Sequence, residues 1–362
     1  MTERVYNFAP GPAVLPLKVL EEAQRNLVAL PGLGISPLEI SHRSPWFEGV
    51  LEETEANLRR LLAIPENYRI VFMPGGSRLQ FSLVPMNLLR GEGAKADFIV
   101  TGTWGQMAMQ EAAREGSVRA CYNSKPHNFD RLPKPAQLEL DPDARYVHFT
   151  SNETIQGVQF QTEPNVGKAP LVADCSSDFL YRPLDIERYG LIYACAQKNS
   201  GPAGVTIVVV RDDLLAQIGD GLPTMLDYRS FVKEKSLINT PPVFAVYVVL
   251  LVTRWLLNDV GGLAAMHEIN RRKAKLLYDV LDESRGFYRG HAQPDSRSLM
   301  NVTFRLPDDE TQNDFLKQAK VRGLVELKGH RSVGGIRASI YNAMPIEGVQ
   351  KLRDFMREFA KL

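Results

Sequence analysis

The chain has 362 residues, 44% of them hydrophobic and 23% charged, the make-up of a soluble globular protein with two domains or one large core and an appended lobe. Its 43 basic residues against 42 acidic ones leave a formal charge of +1, which argues against a polycationic binder of nucleic acid or membrane surfaces. Cys121, Cys175 and Cys195 show no CxxC spacing, which disfavours a zinc ribbon, any other metal centre or a disulfide framework and points to a reducing compartment, the cytoplasm.

Residues 1–15 read as an extended arm around Pro10-Gly11-Pro12, without the apolar centre of a signal peptide. From Pro16 to Leu30 apolar residues recur at Val19, Leu20, Ala23, Leu27 and Leu30, an amphipathic helix stopped by Pro31-Gly32-Leu33-Gly34. His42 and Arg43 then precede a helix from about Phe47 to Leu62. As adjacent polar residues they are loop surface or an anion site. A strand over Tyr68–Met73 leads through Pro74-Gly75-Gly76-Ser77-Arg78 into an apolar helix, Leu79–Leu89. Strand, glycine turn and helix start aim free backbone N–H groups at a phosphate, and Ser77 and Arg78 add a hydroxyl and a cation. Glycines used for turn geometry alone are the plainer alternative.

The strand Ala96–Thr101 turns through Gly102-Thr103-Trp104-Gly105 into a helix ending near Gly116, where Trp104 either packs in the core or stacks on a flat cofactor. Residues 123–143, with prolines at 126, 133, 135 and 142, read as a surface excursion. Tyr146–Phe149 is a strand that ends in the polar cluster Thr150-Ser151-Asn152-Glu153-Thr154. The alternation of strand, turn and helix indicates a largely parallel sheet flanked by helices.

Two short apolar strands then end in opposite charges, one in Asp174 and the next in Gln197-Lys198 before the turn Asn199-Ser200-Gly201-Pro202-Ala203-Gly204. Parallel strands present such residues at the carboxyl edge of the sheet, where α/β enzymes bind ligands. A lysine there must pair, lose its proton or react, and desolvation lowers its pKa toward the nucleophilic amine. An aspartate and a lysine so placed fit the two ends of pyridoxal phosphate, the carboxylate on the ring nitrogen and the amine on the aldehyde carbon. A structural Asp–Lys ion pair, or a lysine snorkelling into water, explains the charges but not the turn.

The apolar stretch Val243–Thr253, opened by Asn239-Thr240-Pro241-Pro242, spans 11 residues and falls short of the ~20 that cross a bilayer. It reads as a buried helix. From Gly261 a second lobe follows, with helices at about Leu263–Leu281, Thr311–Arg322 and Glu347–Leu362. Its strands lie at Met300–Leu306, Leu324–Leu327 and Ile336–Tyr341, and Gly323 sits at a helix C-cap.

With phosphate turn, aromatic turn, Asp and Lys in one order, the chain resembles the fold-type I pyridoxal-phosphate enzymes, and within them the phosphoserine aminotransferase branch of class V. The resemblance runs nearly end to end. Its most specific blocks are Asn7-Phe8-x-x-Gly11-Pro12-Ala13, Ser41-His42-Arg43, Asn152-Glu153-Thr154, Ala196-Gln197-Lys198-Asn199-x-Gly201-Pro202, Asn239-Thr240-Pro241-Pro242 and Gly329-His330-Arg331-x-x-Gly334-Gly335-x-Arg337.

The resemblance implies an α/β fold, with a large cofactor domain over 16–260 and a small domain from 1–15 and 261–362. It implies that Lys198 carries pyridoxal phosphate covalently and shuttles the proton, and that Asp174 holds the pyridine nitrogen protonated. Trp104 would stack on the ring, Thr154 bond near its hydroxyl, and Ser77, Arg78 and Gln197 bind the phosphate. Asn239 and Thr240 would come from a second subunit, hence a homodimer. Arg337 would take the substrate α-carboxylate. His330 and Arg331, with His42 and Arg43 of the partner subunit, would clamp a phosphate or glutamate's side-chain carboxylate. Pro10 stands where some relatives have serine and is left out of the site. Cysteine desulfurases need a reactive cysteine late in the chain, which is lacking here; alanine–glyoxylate transaminases are the nearer rival.

Overall fold

The computed structural model describes residues 4–362. Among these, seven strands form the central sheet: β1 (Tyr68–Pro74), β2 (Lys95–Val100), β3 (Ser117–Asn123), β4 (Val147–Thr150), β5 (Leu171–Asp174), β6 (Tyr189–Cys195) and β7 (Val205–Arg211). Their spatial order is β1-β7-β6-β5-β4-β2-β3. Only β7 runs against its neighbours.

Side chains alternate across each strand, and both sides are apolar here. Ile70, Phe72, Ile192, Ala194, Ile207 and Val209 enter one core layer. Their chain neighbours Val71, Met73, Leu191, Tyr193, Val208 and Val210 enter the other. Such two-sided strands require helices on both faces. These are α1 (Leu17–Asn26), α2 (Pro45–Leu62), α3 (Ser77–Leu88), α4 (Thr103–Ala112) and α5 (Val243–Trp255). The start of α2 is fixed by Ser44, whose hydroxyl accepts the Phe47 N–H at 3.2 Å, and by Pro45 in its first turn.

Helix α5 is apolar all round and packs in the core, with every residue from Ala245 to Thr253 buried. It continues as a π-helical turn through Leu256–Val260, so the helical run reaches 18 residues. That is long and apolar enough to cross a bilayer by composition, and more than the 11 residues read from the sequence. Its environment is the α2 flank and the sheet, the setting of a core helix.

The C-terminal lobe holds α6 (Leu263–Glu283), α7 (Asp309–Val321) and α8 (Ile346–Phe359) against an antiparallel sheet, β8 (Arg289–Gly290), β9 (Asn301–Arg305) and β10 (Ile336–Ser339). Leu324–Val325 does not join that sheet. It pairs in parallel with Tyr6–Asn7 of the N-terminal arm, and Phe8, fully buried, packs into the lobe's core. Strand β3 was not legible as a strand: its edge position leaves Ser117, Arg119 and Asn123 in or near water and blurs the apolar pattern.

Candidate active site

The carboxyl ends of β1, β2, β4, β5 and β6 converge on a cavity of about 480 Å³. Nine of the residues singled out in the sequence line it: Ser77, Arg78, Trp104, Thr154, Asp174, Gln197, Lys198, His330 and Arg337. Pro10 and Gly11 of the N-terminal arm close one side.

Lys198 Nζ donates to Thr154 Oγ1 at 2.9 Å and lies 5.6 Å from the centre of the Trp104 ring. Burial pushes its pKa down, but Tyr341, Cys195 and Asp174 outweigh that and leave it raised. Tyr341 is itself held above the usual tyrosine range by burial. The amine is held by the Thr154 hydroxyl, with Asp174 acting on it through space rather than as a hydrogen-bonded partner. The desolvation argument alone anticipated a neutral amine and missed the compensating charge.

Asp174 ends β5 and is 5% exposed. Burial raises its pKa, while Lys198 and Ser176 lower it. Its Oδ1 accepts the Ser176 N–H at 3.0 Å and the Ser176 hydroxyl.

The turn after β1 bends at Gly75, whose φ of +102° suits glycine, and passes through Gly76 into α3. No side chain caps the first turn of α3, which leaves its backbone N–H groups for an anion. The Ser77 hydroxyl is engaged elsewhere: it accepts the Cys195 N–H at 2.8 Å and meets Ser176 Oγ at 2.6 Å. What Ser77 offers a phosphate is therefore its main chain.

Sequence reasoning placed Glu153 in a polar cluster but gave it no role. It is fully buried, and its carboxylate accepts the N–H groups of Trp104 at 3.0 Å and Gly105 at 2.8 Å, closing the first turn of α4. A Cβ at Gly102 would collide with that carboxylate, so the glycine is needed for close approach. Burial raises the Glu153 pKa to about 7, against the two N–H bonds. Gln156 adds to the clamp, donating to Thr103 Oγ1 at 2.7 Å. The signals available were its place in the polar cluster Thr150–Thr154 and the glycines flanking Thr103-Trp104.

Arg337, on β10, is 6% exposed. Its Nη1 reaches the Thr154 carbonyl at 3.4 Å, and its Nε has no partner among the described residues. Burial lowers its pKa, opposed by Tyr341. A buried guanidinium without a carboxylate is costly until an anion arrives. His330 bonds Ser332 Oγ through Nδ1 at 2.7 Å. Burial, then Arg337 and Arg331, lower its pKa.

The remaining candidates do not line this cavity. Arg331 is exposed in the loop between Gly329 and Gly335. His42, Arg43, Asn239 and Thr240 lie elsewhere in the chain, and His42 Nε2 and Asn239 Oδ1 are buried atoms without partners among the described residues.

Comparison with known proteins places this geometry. Residues 5–352 match the family Aminotransferase class-V. The chain is 53% identical over 359 residues to phosphoserine aminotransferase of Rhodopirellula baltica, covering 99% of this chain and 96% of that one. Its fold superposes on phosphoserine aminotransferase from Bacillus circulans subsp. alkalophilus with a TM-score of 0.97 at 48% identity, over 99% of both chains. A pyridoxal-phosphate-bound phosphoserine aminotransferase from Trichomonas vaginalis gives 0.93 at 39% identity, over 98% of this chain and 100% of that one.

The residues present fit pyridoxal phosphate. An uncapped helix start with Arg78 and the Gln197 amide suits its phosphate, Asp174 its ring nitrogen, and Lys198 its aldehyde. Trp104 offers a ring face beside Lys198, and its buried Nε1 has no partner within the described chain. Fold, cavity and similarity agree: the chain belongs to the class-V aminotransferases, pyridoxal-phosphate-dependent enzymes.

Proposed function

We propose that this chain transfers the amino group of L-glutamate to 3-phosphohydroxypyruvate, giving O-phospho-L-serine and 2-oxoglutarate, as a cytoplasmic homodimer. With the same clamp on its phosphate it would take 4-phosphohydroxythreonine. Residues 16–260 form the cofactor domain in this reading, and 1–15 with 261–362 the lobe that carries Arg337. The burial of Phe8 in that lobe's core supports assigning the arm to it.

One observation carries the substrate class: Arg337 is a buried guanidinium with no carboxylate partner among the described residues, in the same cavity as Lys198. It suits the α-carboxylate common to both amino-acid substrates. His330 lines the cavity beside it, and a flexing loop would bring Arg331 to the phosphate or the distal carboxylate. His42 and Arg43 of the partner subunit complete the clamp, and the partner's Asn239 and Thr240 join Ser77, Arg78 and Gln197 around the cofactor phosphate.

Bound pyridoxal phosphate supplies an electron sink for the charge left when the substrate Cα loses its proton. Asp174 holds the ring nitrogen protonated by charge. The Lys198 amine would carry the proton away from the substrate Cα, and the Thr154 hydroxyl orients Nζ for that task. Trp104 and the arm at Pro10–Gly11 exclude water from the face where this happens.

The test compares two donor–acceptor pairs on the purified protein, glutamate with 3-phosphohydroxypyruvate and alanine with glyoxylate. Turnover with the first pair is expected to dominate. Faster turnover with the second would replace this reading with the alanine–glyoxylate one.

A further inference from the structure

Ser77 and Ser176 lie 99 residues apart in the chain and touch in the wall of the cavity. The Cys195 N–H donates to Ser77 Oγ at 2.8 Å, the two hydroxyl oxygens are 2.6 Å apart, and Ser176 Oγ bonds Asp174 Oδ1. All four residues are buried.

A hydroxyl has one proton to donate. Ser77 Oγ already accepts from a backbone N–H, and an ionised Asp174 can only accept. One arrangement then uses every group: Cys195 N–H to Ser77, Ser77 O–H to Ser176, Ser176 O–H to Asp174. Each dipole points toward the carboxylate, and such chains reinforce one another. A protonated Asp174 that donated to Ser176 would reverse the chain and leave the Ser77 proton without an acceptor.

We propose that Ser77 is a positioning residue which, acting through Ser176, keeps Asp174 ionised for the cofactor's ring nitrogen. This rests on the role given to Asp174 above. Other groups facing Asp174 do not supply the same bias uniformly. Lys198 favours its anion. Glu153 and Asp178, whose carboxyls burial lifts to about 7 and about 6, oppose it once they ionise, while Cys175 and Tyr193 stay neutral because burial raises both.

The experiment measures the affinity of cofactor-free protein for pyridoxal phosphate by tryptophan fluorescence, from about pH 5.5 to about pH 9. Wild type is compared with Ser77→Ala, Ser176→Ala, the double variant and Asp174→Asn. Ser77→Ala is expected to weaken binding by roughly 3- to 10-fold at neutral pH, the scale of one buried hydrogen bond. It should also move the acid-side loss of affinity to higher pH. The double variant should match Ser176→Ala alone, because Ser77 acts only through Ser176.

Unchanged affinity and acid limb in Ser77→Ala, or effects that add in the double variant, overturn the relay. If Ser77→Ala does not fold, an unmoved acid limb in Ser176→Ala overturns it equally. Wild-type binding by Asp174→Asn would instead sink the role of Asp174. Loss in Asp174→Asn with none in Ser77→Ala removes the relay alone.

Discussion

Glu153 is a carboxyl without solvent, held by two main-chain N–H groups at the start of α4. Its pKa is raised from 4.5 to about 7, mainly by burial. A raised carboxyl stabilises the fold fully below its unfolded pKa, and that contribution is lost as pH climbs through the folded value. The window is therefore about pH 4.5 to 7, and the loss about 3 kcal/mol. Glu153→Gln cannot ionise and keeps only one of the two acceptors. Urea unfolding at pH 5 and pH 8 should show the wild-type advantage over this variant shrinking by that order; a constant gap would mean Glu153 does not titrate in the folded chain. At this scale the sequence disclosed the residues that end strands. Asp174 and Lys198 were legible because each closes an apolar run, and Trp104 because glycines flank it. Glu153 and the inward turn of the Ser77 hydroxyl were not, since their partners, Trp104 and Ser176, lie 49 and 99 residues away.

Helix α6 ties the C-terminal lobe to the turn that carries Lys198. Lys273, fully buried on α6, donates to the carbonyls of Ile340, Tyr341, Asn342 and Met344 at 3.0, 2.7, 3.4 and 3.2 Å. Asn270, one turn earlier, donates to Asn342 Oδ1 at 2.8 Å, and the Asn342 N–H donates to Asn199 Oδ1 at 3.0 Å, next to Lys198. The three N–H groups of the buried ammonium are shared among those four carbonyls, with no carboxylate partner among the described residues, and burial still pushes its pKa down to about 7. Lys273→Met orphans the carbonyls and should cost at least about 3 kcal/mol in urea unfolding. Because the folded pKa lies below the unfolded one, the chain sheds a proton on folding above about pH 7. Wild type should gain stability from pH 7 toward pH 10 relative to the variant, and a flat difference would contradict a depressed lysine. The helical periodicity of α6 was plain in the sequence, whereas nothing in it marks Lys273 as buried, because the acceptors that hold it lie in the distant 340–344 turn.

Taken as a whole, one chain brings together nine of its fourteen candidate residues and leaves the others off the cavity. Just before His42, the side chains of Leu27, Val28, Leu33, Ile35 and Leu38 are 39%, 84%, 48%, 46% and 63% exposed, an apolar run of the kind that a second subunit covers. In a twofold dimer each site would then take its lysine from one chain and its His42–Arg43 pair from the other. That arrangement has a consequence no single-chain site shares. Lys198→Ala and Arg43→Ala are each expected to be nearly inactive as homodimers. Unfolded together and refolded, they form heterodimers in which both defects fall on one site and the second site is intact. With random pairing half of the dimers are mixed and half of their sites work, so the mixture should recover about a quarter of wild-type turnover. No recovery, with mixed dimers verified by a size tag on one variant, would place Arg43 in the same site as the lysine of its own chain and remove the shared clamp.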